Sequence, residues 1–168
     1  MQLLSKRHFI VPISAAIALT IAGCGANKVQ QCNQLVQVVN EAGTAIKQDF
    51  APVQNAQQGN PSEQAQKFEQ LAGKLETVAQ NIETVELQDE TLQGFQNNFA
   101  QIYQNMSQNL RQMSQSMQQV AASTNQQDSA AAKQALEQIK AAGEQAKQAA
   151  QESDRIAQEA NTYCQEEG

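Results

Sequence analysis

The sequence predicts an all-α protein, an antiparallel up-down-up-down four-helix bundle that follows a cleaved signal peptide. Three observations predict it. Four segments repeat apolar residues at three- and four-residue steps, and none alternates with period two. Aromatic residues make up only 4% of the 168 and there is no Trp, whereas a sandwich or barrel draws on aromatic and β-branched side chains. Cys32 and Cys164 stand near opposite ends of the helical region, and four antiparallel helices bring those ends together.

The first stripe spans residues 28–50, with Val29, Cys32, Leu35, Val36, Val39, Ala42, Ile46 and Phe50. Residues 51–60 contain Pro52 and Gly59, show no period and read as a loop. Asn60-Pro61-Ser62-Glu63 has the form of a helix start: a capping Asn, Pro in the first turn and an acid close behind. The second stripe is Phe68, Leu71, Ala72, Leu75, Val78, Ala79, Ile82 and Val85. Residues 87–90 form a short connection in which Asp89 suits a cap. The third stripe, Leu92, Phe95, Phe99, Ile102, Met106, Leu110, Met113, Met117 and Val120, steps close to a heptad. After a polar break at 123–128 comes the fourth: Ala132, Ala135, Leu136, Ile139, Ala142, Ala146, Ala149, Ile156, Ala160 and Tyr163. Helices three and four come to about 33 and 36 residues, roughly 50 Å each. The fourth stripe is nearly all Ala, so it buries little area per residue, and its middle is expected to open most easily.

Residues 1–23 read as an export leader. Lys6 and Arg7 supply positive charge, and residues 9–21 form an apolar run too short for a comfortable span and interrupted by Pro12. The run ends in Ile21-Ala22-Gly23-Cys24, which resembles the lipobox of bacterial lipoproteins. The resemblance implies a diacylglycerol on the Cys24 thiol, cleavage just before it and acylation of the new amino terminus. It covers only the leader and its junction. In a Gram-negative host, Gly25 in place of the Asp that retains such proteins on the inner membrane points toward the outer one. Two or three acyl chains hold a protein stably on a membrane that it does not span. Residues 24–31 are then the lipidated cysteine and a short tether, and residues 32–168 the bundle. Cleavage removes two basic residues and His8, the one histidine, leaving a net charge of −8.

With Cys24 lipidated, Cys32 and Cys164 are expected to pair, because exported cysteines oxidise by default. Such a bond closes a loop of about 130 residues, for which chain entropy gives roughly 4–5 kcal/mol. Free thiols or an intermolecular bond are the alternatives.

Little reactive chemistry is present. No histidine is left to act as a base, no Gly-rich loop cradles phosphate, and no Cys-x-x-Cys-His marks haem, so an enzyme is not expected and no cofactor is assigned. The acidic charge argues against nucleic acid. Glu83, Glu86, Asp89 and Glu90 surround one turn, near Glu159, Glu166 and Glu167, and are the candidates for a cation site, although a solvated acidic corner explains them better. Met106, Met113 and Met117 fit core filling better than copper(I) ligation. Lys133, Lys140 and Lys147, with Glu137 and Glu144 four residues after the first two, read as a solvated face of i,i+4 pairs. The glutamines, among them Gln93, Gln96, Gln101, Gln104, Gln108, Gln112 and Gln115, are assigned to polar faces, with polysaccharide binding or self-association as the functional reading.

The expectation is a lipid-anchored lipoprotein on the cell membrane or outer membrane, facing the periplasm or another exported space. It binds or scaffolds a protein partner of the envelope without catalysis. The alternative is a small-ligand or metal-ion carrier or sensor, favoured by space beside Gly73, Gly94 and Gly143. A third expectation is an extrinsic assembly factor of a membrane complex. For this last, the chain is similar in layout alone to the small lipid-anchored four-helix proteins of cyanobacterial photosystem II.

Overall fold

The computed structural model describes residues 24–54, 60–126 and 128–166. The leader, its Ile21-Ala22-Gly23 junction and Glu167 lie outside them, as do the side chains of Cys24 and Phe50. Four helices account for almost all of the described chain: α1 (Cys24–Gln54), α2 (Pro61–Glu83), α3 (Glu90–Gln126) and α4 (Ser129–Gln165). They pack as a four-helix bundle. None of the described helices is long and apolar enough to cross a membrane.

Helix starts follow capping chemistry. The Asn60 side chain accepts from the Ser62 N–H at 2.9 Å, with Pro61 in the first turn where no N–H is needed. Asp89 accepts from the Leu92 N–H at 3.0 Å, opening α3. Asp128 takes the N–H groups of Ala130 and Ala131, opening α4.

Two breaks are shorter than expected. α3 runs to Gln126, so the 123–128 break shrinks, and Ser123 is a buried helical residue. The Thr124 hydroxyl bonds back to the Val120 carbonyl inside that last turn. α1 continues through Pro52 to Gln54. Pro52 has no N–H for the Gln48 carbonyl, so the helix passes it with that one bond forfeited and ends two residues later. At its other end α1 begins at Cys24, so residues 24–31 form its first two turns. Those turns are held because Lys28 and Gln31 are buried against the rest of the bundle.

α3 is the spine. It packs along its length against both α2 and α4, whereas α1 meets the other helices far more sparsely. The main core joins Phe68, Leu71, Leu75 and Ile82 of α2 to Phe99, Tyr103, Met106 and Leu110 of α3 and Ile156 of α4. Each fully buried large side chain stabilises the fold by about 1.5–3 kcal/mol. Met113 and Met117 pack against this core from its edge. Small polar residues bring α3 close to its neighbours: the buried Ser107 and Ser114 hydroxyls donate to the Ala72 and Ala65 carbonyls, both at 2.8 Å. On α4 the buried set is Ala135, Ala142, Ile156 and Ala160, the lean contact expected of an Ala-rich stripe. Two stripe members are exposed among the described residues, Val29 at 41% and Leu136 at 52%. Each stands at the margin of its stripe, beside a buried neighbour, Lys28 and Ala135.

Candidate functional site

The up-down-up-down course gathers the start of α1, the α2–α3 turn and the end of α4 at one end, and the most specific interactions of the molecule are there. Cys32 and Cys164 form a disulfide across 132 positions of sequence, with Cα atoms 5.9 Å apart. Leu35, Leu87 and Leu92 pack with Cys32 as a second, smaller core.

Around the disulfide lies a polar lattice. The Lys28 ammonium sits 3.6 Å from the centre of the Tyr163 ring, a cation–π contact. The Phe95 ring meets that of Tyr163 at 6.0 Å and a 60° tilt. The Tyr163 hydroxyl donates to Asp89 at 2.9 Å. Burial pushes the Asp89 carboxyl up, but the Leu92 N–H, the Tyr163 hydroxyl, the Thr91 N–H and the Lys28 charge together hold it below the ordinary range. Gln31, also buried, accepts from the backbone N–H groups of Gln88 and Asp89 and donates to Asn27 at 2.9 Å. Gln96 donates to the carbonyls of Ile82 and Val85, both at 2.7 Å, closing the end of α2. It is 7% exposed, so it does not lie on a polar face as expected. The Val85 carbonyl lies past the last turn of α2 and takes the Gln96 amide as its donor, whereas the Ile82 carbonyl also accepts from the Val85 N–H at 3.2 Å.

The acidic candidates do not converge. Glu83 accepts from Gln104 at 2.8 Å, Asp89 is engaged as above, and Glu86 and Glu90 are exposed. Glu159 pairs with Arg155, which also holds Glu152; Glu152 first and then Glu159 raise the guanidinium above its ordinary range. Glu166 caps α4. Among the described residues no three His, Cys, Asp or Glu side chains are grouped to hold a metal ion. Lys133, Lys140 and Lys147 are exposed, as are Glu137 and Glu144, and among the described residues these form no ion pair. A solvated pair gains too little to fix two long side chains. Open space lies beside Gly73, Gly94 and Gly143, but at half-buried or exposed helix positions and not inside the core.

The stapled end also carries a groove. Outside the contacts of Gln31 with the α2–α3 turn, an open channel of about 670 Å³ runs between α1 and that turn, and its α1 wall includes Asn27, Gln30, Gln34 and Gln37. Val38 and Val85 continue it into a second stretch of about 460 Å³ between α1 and α2.

Lys28, Gln31 and this amide wall are not among the residues that the sequence singles out. A signal for the first two is present: the core steps Cys32, Leu35, Val39 and Ala42 run back by the same spacing to Lys28 and Gln31. Comparison with family models, with curated proteins and with solved structures finds no match for this chain.

Proposed function

We propose that the chain is a lipid-anchored lipoprotein of the bacterial cell envelope. It is held by Cys24 on a cell or outer membrane facing the periplasm, and it acts as a non-enzymatic binding or scaffold module for an envelope partner. One observation carries the reading. α1 begins at Cys24 and within nine residues is bonded through Cys32 to the end of α4. Acyl chains on Cys24 would therefore hold the bundle by its stapled end, with α3 and α4 projecting about 55 Å from it. The lipobox-like Ile21-Ala22-Gly23-Cys24 supplies the chemistry of attachment.

The test is expression of the full chain in a bacterial host, detergent phase partition and mass spectrometry of the amino-terminal peptide. The expected result is a protein in the detergent phase that starts at an acylated Cys24, with Cys24→Ser moving it to the aqueous phase. An unmodified Cys24 in the aqueous phase would overturn the anchor. For the scaffold role, crosslinking in the native host should recover a specific envelope protein, and recovery of none would count against it.

A further inference from the structure

We infer that the groove between α1 and the α2–α3 turn binds an uncharged β-1,4-linked glycan strand carrying hydroxyl and N-acetyl groups. The inference goes beyond the protein-partner role proposed above and does not depend on the anchor.

Spacing is the first ground. Asn27, Gln30, Gln34 and Gln37 line α1 at steps of three or four residues. Each step is close to one helical turn, about 5.4 Å, which is near the length that one pyranose ring adds to a β-1,4 chain. From Asn27 to Ala42 the two stretches of groove follow α1 for about 22 Å, room for about four rings.

Chemistry is the second. In a chain of net charge −6 the wall is built of neutral amides, and its charged side chains are Glu86 and Glu41. Each amide presents two donors and a carbonyl acceptor, the set that matches hydroxyl and N-acetyl groups. Val38, Val85 and Leu87 supply apolar surface for the C–H faces of the rings. Among the described residues no basic side chain lines the groove to hold phosphate, and no aromatic or Arg stands there to anchor a protein partner.

Pre-organisation is the third. The Gln31 amide is engaged in fixing the turn, and Asn27 and Gln37 bond to Gln88 and Glu41. Gln30 and Gln34 are exposed and, among the described residues, have no side-chain partner, so they stand ready for a ligand.

The test titrates the purified, disulfide-intact protein with chitohexaose, a β-1,4-linked N-acetylglucosamine oligomer. Maltohexaose and a neutral Gln-rich peptide serve as comparisons. The readouts are calorimetry and side-chain amide signals by nuclear magnetic resonance. The expected result is saturable chitohexaose binding that shifts the Gln30 and Gln34 amide signals, is weaker for maltohexaose, and falls roughly tenfold in Gln30→Ala/Gln34→Ala. Shift mapping on the unaltered protein carries the test even if the double variant misfolds. No saturation at millimolar sugar, shifts confined to another face, undiminished binding by a folded double variant, or tighter binding of the peptide would overturn it. An unmodified Cys24 leaves this titration unaffected, and a failed titration leaves the phase partition of Cys24 unaffected.

Discussion

The Tyr163 hydroxyl donates to the Asp89 carboxylate at 2.9 Å, tying the end of α4 to the cap of α3. Asp89 is held below its ordinary pKa, so its contribution to stability is present above the unfolded value of about 3.9 and is lost as pH falls through the lower folded value. Tyr163→Phe keeps the ring over which Lys28 sits but removes the donor. It is expected to cost about 1 kcal/mol near neutral pH. The difference from the parent should shrink toward acid pH, as urea midpoints across a pH series would show. A pH-independent difference would contradict the linkage.

Cys32→Ser or reduction should cost up to about 5 kcal/mol, the chain-entropy value for a loop of this length. The loss should not be uniform. α1 has few other contacts, so its amides should exchange faster with solvent in the reduced protein while those in the middle of α3 stay protected. Hydrogen exchange read by mass spectrometry distinguishes this from uniform loosening.

Gln96→Met keeps the volume and deletes the donor shared by the Ile82 and Val85 carbonyls. The half-buried Val85 carbonyl then lacks a partner, while that of Ile82 keeps the Val85 N–H, at a cost of about 1–2 kcal/mol. The exposed Gln101→Met serves as the comparison and should stay within about 0.5 kcal/mol of the parent in chemical denaturation.

Gly73, Gly94 and Gly143 are helical, and a Cβ added at any of them meets nothing within 4 Å. Each Gly→Ala should therefore stabilise the bundle by up to about 1 kcal/mol, raising the thermal midpoint without altering the helical spectrum. A lower midpoint at any one of them would mean that the space beside it is in use.

The cysteine pairing, the Asn60 and Asp89 caps and the four stripes were legible because each follows from a local rule or a period. Gln31, Gln96 and the buried Ser107 and Ser114 were not. Their positions suit the core, but their chemistry reads as surface until the carbonyls and amides that they serve are known, and those partners lie up to 58 positions away in sequence. Leu136 failed in the opposite direction: it keeps the helical period, but Ala135 takes the buried place beside it and Leu136 turns to solvent. Of the groove, the amide spacing on α1 was visible in the letters, but the α2–α3 residues that face it, Val85 to Gln88, were not.

The sulfur–sulfur bond between Cys32 and Cys164 has a mechanical consequence. It short-circuits the polypeptide. Tension between the start of α1 and a load on the final turn of α4 would cross from Cys32 to Cys164 through sulfur and bypass the long hairpins between those two residues.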